Sequence, residues 1–379
     1  MSGHTGKLGI STRWGLNLLA GVAGVVALYF GSEIFIPFVF AALLASVMWP
    51  TADWLHRKLR FGWTFCCLLV VGGLVTFSLM IAANLALSIP KILQDIPNLR
   101  ETDGQKRVYE MVRKRVELVT YLSDKDEFFP VEPDDSRVFG YLQNTLAEGQ
   151  TLTHALWVLF SYTNSWLWHW VLVVFIMVFM MVEGQMLARG LTEIFSDTGM
   201  SREQAKATLS AMAFEVRKYI VWRTLVNIAL GLTVAIAYRW IFHLKHPWTW
   251  GVLTMVASYV PYLGPLFAGI PPFIDAFMSS PTPWYAIGLL IFYTLVITLE
   301  GYVVYPLVIG RRAELNATTV MLACLFWEAV WGLPGLFLAV PLMAGLKAIC
   351  NEVPGWKPWA NLMGVREDGL PLKKPEGLT

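Results

Sequence analysis

Two stretches interrupt the longest apolar run of this chain in nearly the same way: Tyr262-Leu-Gly-Pro-Leu-Phe-Ala-Gly-Ile-Pro271 and Gly332-Leu-Pro-Gly-Leu-Phe-Leu-Ala-Val-Pro341. At an offset of 70 residues, Leu266–Pro271 lies over Leu336–Pro341. Both belong to a stretch from Trp248 to Cys350, about a hundred residues long and almost wholly apolar, with a strongly acidic intrusion at Leu299-Glu300-Gly301. In lipid, a broken helix exposes backbone N–H and C=O groups that no water can reach. Such a break survives only when buried in protein or set beside an aqueous cavity.

Composition extends that reading to the whole chain. Of 379 residues, 56% are hydrophobic and 15% charged, with a mean hydropathy of +0.54. Soluble domains carry about 25% charged residues. The deficit is global, so the expected fold is an all-α polytopic membrane protein whose first partner is the lipid bilayer. The net charge of +2 is small and no Lys/Arg cluster interleaves with aromatics, so nucleic acid is excluded as a partner. Cys66, Cys67, Cys324 and Cys350 fall in or beside apolar runs and read as buried packing residues, without disulfides.

A span needs about 20 predominantly apolar residues. About eight membrane elements are expected, near 14–31, 34–52, 63–88, 156–182, 219–242, 248–280, 284–309 and 315–350. Segment 89–150 differs, with 9 Lys/Arg and 12 Asp/Glu; apolar residues at helical spacing predict a small helical extramembrane subdomain there. Its apolar faces either pack on one another or join neighbouring subunits into a homo-oligomer with the adjacent helices. Ser201-Arg-Glu-Gln opens a helix in a charged connector over 183–218. Four segments result: a three-helix membrane segment at 1–88, the extracytoplasmic subdomain at 89–150, a membrane domain at 151–350, and a polar, mobile cytoplasmic tail at 351–379.

Lys and Arg in short loops favour the cytoplasm. Lys7, Arg13, the 56–60 loop, the 183–218 connector and the tail all fall inside if the chain starts inside, which places both termini in the cytoplasm. Arg311 and Arg312 join them only if 248–280 is a re-entrant hairpin, and 315–350 must then be one too.

Paired breaks in two halves mark the binding region of transporters. The candidate pathway residues are Tyr262, Gly264 and Pro265 at the first break and Gly332, Pro334 and Gly335 at the second. The alternative for the glycines and prolines is tight helix packing; for Tyr262 it is an interfacial anchor. Glu300 stands first among single residues, because a carboxylate inside an apolar span is costly and usually faces a cavity, binds a cation or carries protons. Its alternative is a structural partner such as Arg311, Arg312 or a helix N-terminus. Pro306 reopens the helix six residues later. Asp275 and Glu328 are further acidic candidates, and Arg223 and Asn227, one turn apart, share a polar face of the fifth span. No G-x-x-x-x-G-K-[ST] occurs, nor H-E-x-x-H, G-x-S-x-G or clustered His/Cys/Asp ligands. The sequence therefore shows no ATP site, no metal site, no cofactor and no sign of an enzyme.

Tyr259-Val-Pro-Tyr-Leu-Gly-Pro265, Leu299-Glu-Gly-Tyr-Val-Val-Tyr-Pro306 with Ile309-Gly310, and Trp331-Gly-Leu-Pro-Gly-Leu-Phe-Leu-Ala-Val-Pro341 resemble the signature blocks of the AI-2E family of transporters. Order and spacing match in all three blocks. The family is prokaryotic, named for autoinducer-2 export, and the resemblance implies an inner-membrane, multi-pass location, with Glu300, Pro306 and Gly310 as motif positions. One departure is Trp222-Arg223, where the family more often shows a small residue and Gln. The implied function is ATP-independent secondary transport or export of a small polar molecule such as autoinducer-2, or of a cation in exchange for protons. Coupling to a proton or sodium gradient would run through Glu300. A passive oligomeric channel, or a structural or regulatory membrane protein acting through 89–150, are the rival expectations.

Overall fold

The computed structural model describes residues 10–95, 168–197, 200–280, 282–304, 315–353 and 355–364, together with isolated positions at 103, 106, 109, 110, 112–114, 130, 136, 139, 140 and 307. The expected 89–150 subdomain and its subunit contacts thus lie largely outside the described residues, as do Pro306, Gly310, Arg311 and Arg312. Among the described residues the chain is helical, apart from an isolated bridge between Leu315 and Gly364.

The helices are α1 (Ile10–Phe30), α2 (Ser32–Leu59), α3 (Trp63–Asp95), α4 (Trp168–Val182), α5 (Gly184–Asp197), α6 (Arg202–Trp240), α7 (Pro247–Ala257), α8 (Leu263–Ser279) and α9 (Pro283–Leu299). A π-helical turn (Glu300–Val304) extends α9, followed by α10 (Ala317–Trp331), α11 (Leu333–Glu352) and α12 (Lys357–Met363). Among the described residues five helices are long and apolar enough to cross a membrane, or six if α4 and α5 count as one bent span.

Packing divides the chain into two units, and two of the four cuts fall well inside helices, α3 and α6. Unit one comprises residues 1–68, 169–217 and 315–379. In it Val330, Trp331 and Leu338 pack against Val25, Leu28, Ile36 and Phe40, and the Trp331 indole donates to the Leu28 carbonyl at 2.9 Å. The Trp63 indole likewise donates to the Met181 carbonyl at 3.1 Å. An indole buried in apolar surroundings needs such an acceptor, and each bond ties two membrane helices together.

The fourth expected span turns by 81° at Glu183, and α5 departs with Met186, Leu187, Leu191 and Ile194 exposed on an otherwise polar helix. Such an amphipathic helix is built to lie along a membrane surface. The charged connector is therefore largely helical. α6 opens where Ser201-Arg-Glu-Gln predicted: the Ser201 hydroxyl accepts from the Gln204 N–H and the Gln204 side chain accepts from the Ser201 N–H, both at 3.1 Å. This reciprocal cap satisfies two otherwise orphaned donors. The fifth span is longer than its expected range, because the helix so capped runs unbroken for 39 residues. The tail also departs from expectation. Asn316 caps α10 through the Thr319 N–H and reaches the carbonyls of Leu362 and Gly364, and α12 packs Ala360 and Met363 on Cys350. All four cysteines are buried and free.

Unit two comprises 69–168 and 218–314. Its core joins Val234 and Tyr238 of α6, Trp250 of α7, Ala276 of α8, and Ala286, Leu289 and Tyr293 of α9. On α9, Ala286, Leu289 and Tyr293 recur at helical spacing on the buried side, and Glu300 continues that side two turns later. Ile291, Leu295 and Leu299 form the exposed seam opposite, suited to lipid. The period of the helix thus places the Glu300 carboxylate inward.

Each of the two Pro/Gly-broken elements folds back on itself as a pair of helices. α7 and α8 fold back so that the Trp250 indole, near the start of α7, donates to Asp275, near the end of α8, at 2.8 Å. α10 and α11 do the same, closing Ala323 and Cys324 against Ala339. Gly264 backs onto the Ala257 carbonyl and Gly335 onto the Trp327 carbonyl so closely that a Cβ at either place would collide with backbone. Packing accounts for these two glycines.

Candidate functional site

The site is built where α7 ends. A helix that stops inside apolar surroundings leaves its last carbonyls without intrahelical partners. At the first break, one of these is the Ser258 carbonyl, and a guanidinium from α6 reaches it: Arg223 Nη2 donates to Ser258 O. Arg223 Nη1 donates to Glu300 Oε1 at 2.8 Å, and both side chains are about nine-tenths buried. The residue following Arg223 also holds the break, since the Thr224 and Tyr259 hydroxyls lie 2.6 Å apart.

The π turn matters for this geometry. It begins at Glu300, whose N–H reaches both Val296 O and Ile297 O. Such wide turns are concentrated at functional places because they re-aim a side chain at some cost to the helix. Close approach of α6 and α7 contributes as well: Gly231 and Gly251 pack backbone to backbone, so that a Cβ on Gly231 would lie 2.6 Å from Gly251 O. Small residues let membrane helices cross this tightly.

Asn227 lies on the α6 face between these two contacts, one turn from Arg223 and one turn from Gly231. It is fully buried, and neither its Nδ2 nor its Oδ1 has a hydrogen-bond partner. The Ser258 hydroxyl, at the α7 end of the same contact, is likewise buried and unpartnered. Buried polar groups without partners are uncommon and costly. A buried ion pair with two orphaned hydrogen-bonding side chains beside it is expensive as scaffolding and well suited to receiving a ligand.

The other sequence candidates distribute as follows. Tyr262 sits at the apex of the break with φ 61° and is more than half exposed. The Pro265 carbonyl accepts from the Tyr293 hydroxyl at 2.7 Å, tying α8 to α9 two turns before Glu300. Asp275 belongs elsewhere, ten residues and about 15 Å along α8 from Pro265, where it holds the Trp250 indole. Gly332, Pro334, Gly335 and Glu328 belong to unit one, and Glu328 is exposed. Of the residues singled out from sequence, the structure pairs Arg223 with Glu300 at the first break and buries Asn227 one turn along α6 from Arg223.

Among the described residues Glu300 is paired with Arg223, a partner that the sequence alternatives did not name; Arg311 and Arg312 lie outside those residues. Sequence reasoning also missed Ser258, Thr224 and Tyr259. The available signal was charge matching: Arg223 and Glu300 are opposite charges set deep in two different apolar spans, and each needs the other. Among the described residues no group of three His, Cys, Asp or Glu side chains converges as metal ligands. A surface cleft of about 310 Å³ in unit one is lined by Trp49, Asp53, His56, Arg57, Trp63 and Gln185. Its Arg57–Asp53 pair is solvent-exposed, so it lacks the energetic cost that marks the buried pair.

Comparison with known proteins agrees with this architecture. The sequence profile described as AI-2E family transporter matches residues 18–355. The AI-2 transport protein TqsA of Escherichia coli (strain K12) is 24% identical over 340 residues, covering 88% of this chain and 90% of the relative. YueF of Bacillus subtilis (strain 168) is 23% identical over 323 residues, 84% of each chain. A chain of Haemophilus influenzae is 23% identical over 357 residues, covering 92% of this chain and 97% of its own length. Both of these are also named for transport.

Proposed function

We propose a function from one premise: the chain belongs to the AI-2E transporter family. It acts as an ATP-independent secondary transporter of a small polar solute, with Glu300 as the group that couples movement to a proton gradient. The observation that carries this reading is the buried Arg223–Glu300 pair at the first helix break. A conformational change that parts the carboxylate from the guanidinium frees it to take up a proton. Favouring the paired form from one side of the membrane and the protonated form from the other turns a proton gradient into a difference in solute binding. The cation place beside Glu300 is already filled by Arg223, which supports protons over sodium as the coupling ion, and solute transport over cation exchange.

Autoinducer-2 is the first solute to test, since a relative covering 88% of the chain carries AI-2 transport in its name. The location that goes with this reading is a prokaryotic inner membrane with both termini in the cytoplasm and subunits joined through 89–150. The test is uptake of labelled autoinducer-2 into liposomes carrying the protein, under an imposed pH or sodium gradient, for wild type and Glu300→Gln. Uptake driven by the pH gradient in wild type and lost in the variant is expected. Uptake that ignores both gradients, as a passive channel would give, overturns the reading.

A further inference from the structure

Charge balance at the first break narrows the ligand. At rest the buried site holds one guanidinium and one carboxylate, with no net charge. A cation added to that pair leaves the site net positive in a low-dielectric surrounding, which is strongly disfavoured. A proton on Glu300 together with one monoanion on Arg223 leaves it neutral again. The hydrogen-bonding capacity agrees. The guanidinium offers planar, forked N–H donors suited to paired oxygens, a protonated Glu300 offers an O–H, and the orphaned Asn227 amide and Ser258 hydroxyl offer two more donor groups. Donors exceed acceptors, and two of them are already buried without partners. We propose that the Arg223–Glu300–Asn227–Ser258 cluster is a proton-gated binding site for a small monoanion bearing carboxylate- or phosphate-type oxygens. Loading proceeds as one proton from water to Glu300 and one anion to the freed Arg223 head, the two entering together.

The other ionisable groups around Glu300 leave this exchange to Arg223. α6 brings Arg223, with Lys218 and Tyr219 about a turn before it. α7 has no ionisable side chain, and the break carries Tyr259, bound to Thr224, and Tyr262. α8 has only Asp275, held by Trp250 at the far end of the hairpin. α9 has Tyr285 and Tyr293, whose hydroxyls donate to the Ile241 and Pro265 carbonyls.

This inference rests on the transport reading above for its biological use, but binding tests it separately. Full-length protein in detergent is titrated with sodium lactate and, separately, sodium dimethyl phosphate, each a monoanion at both pH values, against equal sodium chloride, following thermal unfolding at mildly acid and mildly alkaline pH. Wild type is expected to bind the anion roughly 5- to 150-fold more tightly at acid pH, the range typical of coupling between two ligands. Glu300→Gln, a neutral carboxyl mimic, is expected to bind it tightly at both pH values, and Arg223→Gln at neither. Arg223→Lys retains the charge and is expected to bind weakly with the wild-type pH trend, which covers the case in which Arg223→Gln does not fold. Absence of anion binding in Glu300→Gln, or pH dependence surviving in it, overturns the proposal. If no form binds either anion while gradient-driven, Glu300-dependent uptake persists, the anion site falls and the transport reading stands. If the anions bind as expected but no solute moves with the gradient, the site stands and the transport reading falls.

Discussion

At the apex of each hairpin one residue turns the backbone to positive φ: Tyr262 at 61° in the first and Gly332 at 63° in the second, 70 residues apart. A few residues on, a glycine backs onto the preceding helix, and the carbonyls it meets, Ala257 and Trp327, are again 70 residues apart. The sequence repeat thus extends to the sign of φ at the apex and to the glycine contact beyond it. The two copies are nevertheless used differently. The arms of the first hairpin, at 11 and 17 residues, are about 16 and 25 Å long, short of the roughly 30 Å of a bilayer core. Those of the second, at 15 and 20 residues, are about 22 and 30 Å.

Glycine is indifferent to the handedness of the backbone, so the second apex is relaxed. The first places a tyrosine in a three-residue turn closed by Leu263 N–H to Pro261 O at 2.6 Å, a form that is rare and strained for a side-chain-bearing residue. The first break also hands the Ser258 carbonyl to Arg223 from a third helix, whereas the corresponding Gly332 carbonyl of the second accepts locally from the Leu336 N–H at 3.2 Å. Strain and buried charge coincide in one copy and are absent from the apex of the other. Such strain is concentrated at functional sites, which supports the first break as the place of the proposed coupling.

The largest expected effect separates the copies at once. Arg223→Gln leaves the Glu300 carboxylate buried without its counter-charge and should cost about 3–5 kcal/mol of stability, with transport lost. Adding Glu300→Gln in the same chain should restore most of the thermal stability without restoring gradient-driven uptake. A double variant no more stable than the single one would remove the pair from the centre of the fold. Gly264→Ala and Gly335→Ala bring the copies back together. Each forces a methyl into a backbone carbonyl, and each should cost about 1–3 kcal/mol, read as matching falls in unfolding temperature. Unequal falls would show that the two hairpins pack less alike than their repeat.

The apex residues should move in opposite directions. Gly332→Ala is expected to destabilise by about 1–2 kcal/mol, because an L residue at φ 63° pays that steric cost. Tyr262→Gly should leave stability unchanged or raise it slightly while impairing transport, since relief of strain offsets the added freedom of the unfolded chain. The smallest effect is expected from Tyr293→Phe, which removes one hydrogen bond to the Pro265 carbonyl and should cost about 1 kcal/mol with coupling intact.

Much of the architecture was readable before any coordinates. The lack of charge and the length of the apolar runs required a helical membrane protein. The Pro/Gly pattern located both breaks, and Ser201-Arg-Glu-Gln located the start of α6, because these signals act within a few residues of where they are written. Glu300, Arg223 and Asn227 were each legible as residues too polar for their surroundings. What sequence could not determine was their association. Arg223 and Glu300 are 77 residues apart and meet where Gly231 and Gly251 let α6 and α7 touch and where the period of α9 turns Glu300 inward.

The two halves of the opening comparison divide along the same line. That the chain breaks twice, at Tyr262 and at Gly332, was decided by local residue chemistry, since backbone preferences need no distant partner. That, among the described residues, the charge pair sits at the first break was decided by tertiary structure. A freed carbonyl becomes a site when a guanidinium and a carboxylate from other helices are packed against it, and such packing is a property of crossings between helices that no single stretch of sequence encodes.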